Sequence, residues 1–290
     1  MTAFSIVTVL HDSQAHLERL LASLELLPQR PQVICVDSGS SDRGPELAEE
    51  WGAEVLILEG NPGFGAGNNA GLALAAHPVT VLLNPDCIAL DDGLARLATL
   101  AAPSDALIVP RLLNPDGSVQ RSAHQLPGGP GGLLAAVIPP RLLPRPLRER
   151  LEPFRARSPR PVGWAIAACV AARTSLLRRL GPFDPYAFLF YEDLELCLRA
   201  RAQGATTILH PEIALTHVGS HSTVPSLGPT MLELEALRRR EVVERWLGED
   251  ALALDDLSQS LAFRLRAIAG RDRERNLAMA AALRRARRGI

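Results

Sequence analysis

Three carboxylates lie within four positions of an apolar segment, FLFYEDLELCLR at residues 188–199. Glu192, Asp193 and Glu195 directly follow a run of aromatic and leucine side chains. Acidic residues at the start of a helix are ordinary, because the exposed N–H groups and the positive end of the helix dipole favour them. The alternative is that the aromatic residues hold one carboxylate at the floor of a cleft, where it acts as a general base. The segment alone leaves both interpretations open.

A further carboxylate, Asp86, follows the apolar run Val81–Leu83 in the sequence VLLNPDC. Asn-Pro-Asp is a common turn sequence and needs no functional explanation. A single carboxylate at a strand end also suits Mg²⁺ or Mn²⁺, which proteins hold with one or two side chains plus phosphate oxygens. Such an ion would neutralise a leaving diphosphate.

His217 and His221 lie four residues apart in THVGSHS. The segment lacks the glutamate of a HExxH zinc helix, and its glycine and serines indicate a loop, so we do not expect a zinc protease. A single histidine at a strand end is usually structural. A metal role for His217 would require that it face Asp86.

The sequence GAGNNA at residues 65–70 fits the pattern G-x-G-x-x-A between a strand and a helix. This pattern is typical of dinucleotide-binding sites, so an NAD(P)-dependent oxidoreductase is one alternative. However, the pattern follows the third predicted strand, and residues 59–64 separate that strand from the first glycine. A flexible strand-to-helix loop is the other interpretation.

Strand patterns alternate with helical patterns along the first hundred residues. Apolar runs at 4–10, 32–36, 54–59 and 79–87 predict four strands, each followed by a helical pattern. Continuous apolar runs, rather than alternating ones, indicate a mostly parallel sheet covered by helices on both faces. The loops at the carboxyl ends of such strands line one crevice, where ligands bind.

The rest of the chain is less regular. Residues 127–161 are rich in proline, glycine and arginine, which predicts a mobile loop or an excursion from the fold. Residues 164–172 predict another strand. Two arginine-rich helical patterns follow from Met231, so we expect a catalytic domain at 1–223 and a C-terminal helical extension at 224–290.

Composition excludes several classes of function. All 31 basic residues are arginine, which rules out a P-loop lysine or a Schiff-base lysine. A net charge of −1 gives no reason to expect nucleic acid as a partner. Cysteines 35, 87, 169 and 197 lie in apolar runs and are expected to be free core thiols in a reducing cytosol. No signal peptide and no membrane span are evident, so we expect a cytoplasmic protein, soluble or peripheral.

In chain order, these segments resemble the family 2 glycosyltransferases, and among them the rhamnosyltransferase-like branch. The matching motifs are VTVLHDS, VICVDSGSSD, NPGFGAGNNAGL, VLLNPDC, NPDGSVQRSAHQLP, and GPFDPYAFLFYEDLELCLRARAQG with HPEIALTHVGSHS. The resemblance implies a GT-A fold, an α/β fold with a mostly parallel sheet flanked by helices and, in this chain, a C-terminal helical appendage. It also implies inverting transfer from a nucleotide-diphosphate sugar, a UDP- or dTDP-sugar such as dTDP-rhamnose, to a hydroxyl of a glycan or lipid-linked glycan.

The resemblance also implies roles for individual residues. Asp193 matches the catalytic base, and Glu192 orients it or caps the helix. Asp86 matches the metal-facing carboxylate for Mg²⁺ or Mn²⁺, and His217 matches a late metal ligand. Donor binding is implied for His11, Asp37, Asn68, Asn69, Asn84 and Asp86, with Asp37 contacting the nucleobase.

Departures from the family pattern concern substrate identity more than reaction class. His11-Asp12 stands where Tyr-Asn is usual, Asn84 replaces the first acid of the metal motif, and Ala167 replaces a common glycine. Glu195 replaces a frequent aspartate. Apart from these departures, a sugar-nucleotide-binding module without catalytic activity is a third alternative.

The last segment, residues 264–290, mixes apolar positions with arginines. It predicts either a helix packed on the catalytic domain or self-associating into a homo-oligomer, or an interfacial helix attracted to anionic lipid. The expected partners are thus a sugar nucleotide, a glycan or lipid-linked acceptor, and a membrane surface contacted peripherally.

Overall fold

The computed structural model describes residues 2–181, 183–184, 190–219, 229–270 and 272–288. The chain divides into two compact units, residues 1–122 with 156–219 and residues 123–155 with 220–290. The boundary expected after residue 223 falls in a stretch that the structure does not describe and stays a prediction. The grouping of 123–155 with the C-terminal segment was not foreseen from the sequence.

Strands and helices alternate along the first part of the chain, and helices follow in the last part. The strands are β1 Phe4–Leu10, β2 Gln32–Asp37, β3 Glu54–Ile57, β4 Val79–Leu83, β5 Cys87–Ala89, β6 Ala106–Leu113, β7 Ala123–His124, β8 Arg160–Val162, β9 Trp164–Ala165, β10 Cys169–Arg173 and β11 Thr206–His217. The helices are α1 Gln14–Leu24, α2 Gly44–Trp51, α3 Phe64–Leu74, α4 Gly93–Ala101, α5 Pro130–Val137, α6 Arg145–Leu151, α7 Thr174–Leu180, α8 Glu192–Ala202, α9 Pro229–Leu247, α10 Glu249–Ile268 and α11 Arg273–Arg288. Short 3₁₀ segments lie at Pro140–Leu142 and Pro153–Arg155.

One sheet organises the first unit, in the order β3-β2-β1-β4-β10-β6-β11-β5, with β8 paired to β11. Strands β3, β2, β1 and β4 are parallel, as their continuous apolar runs predicted. Strand β10 lies antiparallel between β4 and β6, and β6 pairs in parallel with β11. The predicted α/β sheet flanked by helices is therefore confirmed, with a second half that mixes the two pairings.

The glycines of GAGNNA allow helix α3 to approach the sheet closely. A Cβ atom added to Gly67 would lie 2.7 Å from Cγ1 of Val9, and one added to Gly71 would overlap Val7 and lie 2.9 Å from Cγ2 of Val36. The expectation of a loop at this motif is wrong, because α3 begins at Phe64 and contains the whole motif. The glycines serve backbone-to-sheet packing inside a helix.

The four cysteines are free and buried, as predicted. Burial raises the pKa of the Cys35 thiol to about 12 and that of the Cys197 thiol to about 11. They are inert core side chains rather than reactive thiols.

The second unit is helical throughout most of its described length. The stretch at 127–161, expected to be a mobile loop or an excursion, contains α5 and α6, and most of it belongs to the second unit. The C-terminal region forms three helices, α9 to α11, rather than the two expected. Buried carboxylates on α10 join these helices: Asp255 receives two hydrogen bonds from Arg239, of 2.7 and 2.9 Å, and Asp256 pairs with Arg240 and Arg287. Among the described residues, no helix is both long and apolar enough to cross a bilayer.

The packing of α3 makes a testable prediction for Gly71→Ala. In an exposed helix this change would stabilise the protein by about 1 kcal/mol. At this position we expect it to lower the free energy of unfolding by about 1–3 kcal/mol, because the new methyl group overlaps β1. Urea denaturation measures the effect.

The matched control is Gly129→Ala, where the nearest atom to an added Cβ is 3.8 Å away. Gly129 is the N-cap of α5, so that variant should lose no more than about 1 kcal/mol, the cost of a poorer cap, and nothing from overlap. A Gly71→Ala protein as stable as the parent would show that α3 does not depend on this close approach.

Candidate functional site

Four of the predicted site residues lie at one edge of the sheet. Asp37 is the last residue of β2, His11 follows β1, Asp86 follows β4, and His217 is the last residue of β11. Strands β1, β2 and β4 are parallel, and β11 runs the same way because β10 reverses direction between β4 and β6. These ends therefore lie at the one edge of the sheet where the strand pattern predicted ligand binding.

Asp86 and His217 are brought together by strand pairing. Strands β5 and β11 are antiparallel neighbours in which Cys87 lies opposite His217. The Nε2 atom of His217 is 3.3 Å from Oδ1 of Asp86. The N–H of Gly219 donates to Oδ2 of Asp86 at 2.9 Å, and the N–H of Val218 donates to the backbone carbonyl of Asp86 at 3.0 Å. His217 thus faces Asp86, which was the condition for a metal role.

The carboxylate of Asp86 is held in its charged form. Burial alone raises its pKa, but His217 and the N–H of Gly219 outweigh burial, so the pKa lies below its ordinary value. A charged, largely buried carboxylate at a strand end is a ligand prepared for a cation.

Asn84 begins the turn between β4 and β5. Its N–H donates to the carbonyl of Ala168 at 2.8 Å, and its own carbonyl accepts from the N–H of Cys87 at 3.1 Å. Its side-chain Oδ1 atom is buried and has no hydrogen-bond partner within the described part of the chain. Buried polar atoms are rarely left unpaired, so this oxygen indicates a missing ligand or water. Amide, carboxylate and imidazole groups together fit Mg²⁺ or Mn²⁺.

Cys87 lies close enough to Asp86 and His217 to complete a geometric cluster of three ligand types. Its thiol instead donates to the carbonyl of Ala168 at 3.3 Å. Burial raises the pKa of this thiol well above its ordinary value, whereas a metal would require the thiolate. We therefore assign Cys87 to the core and not to the cation site.

The loops after β1 and β2 are joined by hydrogen bonds. The Nδ1 atom of His11 is 2.9 Å from the backbone carbonyl of Ser38, and the buried carboxylate of Asp37 accepts from the N–H of Ser40 at 3.1 Å. Asp37 is thus fixed in orientation next to His11. Its contact with a nucleobase stays a prediction.

Asp12 adds a second link between the same two loops. Its Oδ1 atom accepts from the N–H of Ser41 at 2.7 Å and from the Ser41 hydroxyl at 2.9 Å. Both hydrogen bonds lower the pKa of Asp12, the one from the Ser41 N–H more strongly than the one from the Ser41 hydroxyl. Asp12 also has a left-handed backbone, with φ of 46°, which the links to the neighbouring loop hold in place.

Asn68 and Asn69 lie inside α3. The amide of Asn68 donates to the carbonyl of Phe64 at 2.9 Å, within its own helix. Asn69 holds the backbone of Phe183 with two hydrogen bonds, of 2.9 and 3.2 Å. Both side chains therefore have structural partners. Their predicted role on the donor side of the site stays a prediction.

The acidic segment begins helix α8. Glu192 and Asp193 are its first two residues, both half-buried, and Oδ1 of Asp193 is 2.7 Å from the N–H of Leu194. Phe190 and Tyr191, directly before them, both have left-handed backbone, with φ of 73° and 59°. Such a conformation is unusual for aromatic residues and is typical of functional sites, where the surroundings impose it.

Tyr191 contacts Trp164 edge to face, with ring centroids 6.3 Å apart. This contact is part of the packing that holds the strained entry to α8. Phe188, one of the aromatic residues before the acidic segment, and His221 lie outside the described residues.

Glu195 differs from its two acidic neighbours. Its side chain is buried, and Oε2 is 2.6 Å from Nη2 of Arg199. Arg199 also donates to the carbonyls of Leu180 and Gly181 at the end of α7. Glu195 therefore supports the joint between α7 and α8, which leaves Glu192 and Asp193 as the candidate reactive carboxylates.

Gln120 is a residue of this site that sequence reasoning missed. Its Oε1 atom is 2.8 Å from Nδ1 of His217. The signal was present as the sequence NPDGSVQ, a turn pattern after β6 to which no role was given.

Comparisons with known proteins agree with this geometry. Residues 5–175 match the family profile "Glycosyl transferase family 2". An N-acetylglucosaminyl-diphospho-decaprenol L-rhamnosyltransferase of Mycobacterium tuberculosis is 33% identical over 239 residues, which are 75% of this chain and 76% of the relative. The resemblance drawn from the motifs is confirmed.

Solved structures support the fold. GalNAc-T7, solved with UDP, GalNAc and Mn²⁺, gives a TM-score of 0.63 at 17% identity. The match covers 90% of this chain and 51% of the GalNAc-T7 chain, so this chain spans about half the length of GalNAc-T7. The mannosyltransferase PcManGT from Pyrobaculum calidifontis, solved with GDP-Man and Mn²⁺, gives a TM-score of 0.58 at 15% identity. That match covers 98% of this chain and 86% of the mannosyltransferase chain. The predicted GT-A fold is confirmed.

The oxidoreductase alternative is wrong. GAGNNA lies within a helix behind β3, not at a tight turn after the first strand, and the family match covers this region. The chain belongs to glycosyl transferase family 2 and is a glycosyltransferase with the GT-A fold.

Proposed function

We propose that the protein transfers a sugar, with inversion, from a UDP- or dTDP-sugar, dTDP-rhamnose being the favoured candidate, to a hydroxyl of a glycan or lipid-linked glycan. The observation that carries the proposal is the Asp86–His217 pair at the carboxyl edge of the sheet. The name of the mycobacterial relative, which specifies rhamnose and a diphospho-decaprenol glycan, supports this choice of donor and acceptor.

Asp86 and His217 would hold Mg²⁺ or Mn²⁺, with Asn84 contributing its unpaired amide oxygen to the ion or to the donor. The bound ion supplies positive charge to the diphosphate as it leaves. Asp37 and His11 would bind the nucleobase at the ends of β2 and β1. Asn68 and Asn69 would complete the donor side, Asn69 through its hold on Phe183.

Asp193 would be the general base. In an inverting transfer the acceptor oxygen attacks the anomeric carbon as the bond to the diphosphate breaks on the opposite face. The acceptor proton passes to a carboxylate oxygen of Asp193, and the nucleoside diphosphate leaves with the bonding electrons. Glu192, its neighbour at the start of α8, would orient Asp193 or the acceptor.

The same proposal places the protein in the cytoplasm, in peripheral contact with the inner face of the membrane. The C-terminal helix α11 exposes several arginines for this contact but, among its large apolar side chains, only Leu277 within the described residues. Ala280 and Leu283 of α11 are buried, whereas Arg284, Arg287 and Arg288 are exposed. A homo-oligomer formed through these helices stays a prediction.

A better apolar surface lies at residues 137–147, which we call the basic apolar surface. Val137 is 57% exposed and Leu142 is 71% exposed, with Ile138 beside them. Arg141 and Arg145 in the same segment are also exposed. Exposed aliphatic side chains interleaved with arginines suit the headgroup region of an anionic bilayer, which a lipid-linked acceptor would require.

Asp86→Asn tests the cation site. The variant keeps the size of the side chain but loses the charge, so thermal stabilisation by Mn²⁺ with UDP or dTDP should disappear, and turnover at limiting Mn²⁺ should fall sharply. Stability without metal should fall only modestly, because the side-chain oxygen of the introduced asparagine can still accept from the N–H of Gly219, although the charge beside His217 is lost.

Cys87→Ala is the control for this prediction. It removes the third geometric neighbour and should keep the response to Mn²⁺, although a small cavity lowers stability. Full activity of Asp86→Asn at limiting Mn²⁺ would refute the metal role.

Asp193→Asn tests the base. Transfer at saturating donor should fall by about 10²–10⁴-fold, while nucleotide and metal binding persist, because asparagine has the same shape but cannot accept the proton. Asparagine caps a helix about as well as aspartate, so a residue that only caps α8 would give a near-normal rate.

Glu195→Gln gives the contrasting result. We expect this variant to have a lower free energy of unfolding, because it weakens the buried pair with Arg199. The rate of transfer by the folded protein should change much less than in Asp193→Asn. A near-normal rate in Asp193→Asn would leave the base to be sought elsewhere.

The basic apolar surface can be tested by sedimentation with phosphatidylglycerol vesicles. Replacing Ile138 and Leu142 together by serine should weaken binding by roughly tenfold or more, since tenfold needs only about 1.4 kcal/mol, less than half of what two fully buried aliphatic side chains contribute. The control replaces two exposed aliphatic residues of the first unit, Leu26 (59% exposed) and Ile57 (67% exposed), by serine. Equal vesicle binding by both double variants would contradict the assignment.

A further inference from the structure

We propose that Gln120 is a positioning residue that fixes the tautomer of His217 and aims its Nε2 atom at the cation site. This inference rests on the proposed metal role of Asp86 and His217. No other role for Gln120 follows from the family resemblance or from the sequence pattern.

The hydrogen bonds of Gln120 determine which way its amide points. Its Nε2 atom donates to Oδ1 of Asn114 at 3.2 Å and lies 3.5 Å from the backbone carbonyl of His217. Its Oε1 atom is 2.8 Å from Nδ1 of His217. Because the amide nitrogen faces two acceptors, the oxygen is the atom that faces the imidazole, and Nδ1 must be the donor.

The consequence appears at the other side of the ring. A neutral imidazole that carries its proton on Nδ1 presents a lone pair on Nε2. That atom is 3.3 Å from the Oδ1 atom of Asp86, a distance at which the two atoms share a proton in the absence of a metal and at which a divalent cation can replace that proton. A divalent cation bound to both satisfies both, and a partner that holds the far nitrogen of a ligating histidine is the usual support for such a site.

A local turn holds Gln120 in place. The N–H of Asn114 donates to the carbonyl of Ser118 at 2.8 Å, and the N–H of Gly117 donates to the carbonyl of Asn114 at 2.9 Å. Gly117 has φ of 79°, which favours glycine. The N–H of Gln120 then donates to the carbonyl of Leu112, in β6, at 2.9 Å.

This turn explains the sequence NPDGSVQ. It reverses the chain after β6, and the end of β6 is the parallel neighbour of the end of β11, with Leu113 next to Thr216. The reversal therefore returns Gln120 to the residue that ends β11. The motif builds the support for His217 rather than part of the donor pocket.

The test measures Mn²⁺ affinity, without turnover, by the EPR signal of free Mn²⁺ in the presence of UDP or dTDP. Gln120→Leu removes the acceptor for Nδ1 and should weaken Mn²⁺ binding by about 10–100-fold. Gln120→Glu keeps an acceptor oxygen at the same reach and should restore binding to within a few-fold of the parent. Gln203→Leu, on the exposed end of α8, is the matched control and should bind normally.

Two further measurements separate positioning from folding. If the leucine variant does not fold, Gln120→Asn takes its place in the test. Asparagine is one methylene shorter, so its oxygen should not reach Nδ1 of His217, and Mn²⁺ affinity should fall in the same way. NMR of ¹⁵N-labelled imidazoles in the metal-free protein should show a proton on Nδ1 of His217 in the parent and a loss of that preference in Gln120→Leu, since a metal bound to Nε2 would itself fix the proton on Nδ1.

The outcomes also distinguish this inference from the proposed function. If Gln120→Leu and Gln120→Asn bind Mn²⁺ as the parent does while Asp86→Asn does not, the inference about Gln120 is overturned and the cation site stands. If Asp86→Asn also binds Mn²⁺ normally, the proposed cation site itself fails, and the inference fails with it.

Discussion

The antiparallel pairing of β5 with β11 is the constraint on which the site depends. It sets Cys87 opposite His217, so that Asp86, one residue earlier, and the last residue of β11 meet at the edge of the sheet. The backbone N–H groups of Val218 and Gly219 then close around Asp86. A carboxylate and an imidazole from segments 131 positions apart thus become one candidate ligand pair.

The other parts of the site depend on the same sheet. Strands β1, β2 and β4 bring three loop ends to the edge where Asp86 lies, and the close approach of α3 through Gly67 and Gly71 covers one face of β1. Asn69 extends this support from α3 to Phe183. The sheet is closely packed against α3, whereas left-handed aromatic residues lie at Phe190 and Tyr191, directly before the acidic pair.

Local patterns were sufficient to predict part of this arrangement. Apolar runs ending in polar turns indicated the parallel strands and placed Asp37 and Asp86 at one edge, because such features are encoded within a few residues. GAGNNA was misread as a loop, because its glycines make room for side chains on β1 and β2, and the local sequence does not show that close contact. The sequence shows that Arg199 lies one helical turn after Glu195, so an ion pair could be expected. It does not show that the pair is buried, and it is this burial that identifies Glu195 as a structural residue. Gln120 reaches His217 across 97 positions, and no periodicity predicts such a contact.

The most direct test of the account is anomalous diffraction from crystals grown with Mn²⁺ and whichever of UDP or dTDP protects the protein against thermal unfolding. The account predicts a manganese peak bonded to a carboxylate oxygen of Asp86, to Nε2 of His217 and to oxygens of the diphosphate. An ordered diphosphate with no manganese at Asp86, or a manganese ion held by other residues, would contradict it.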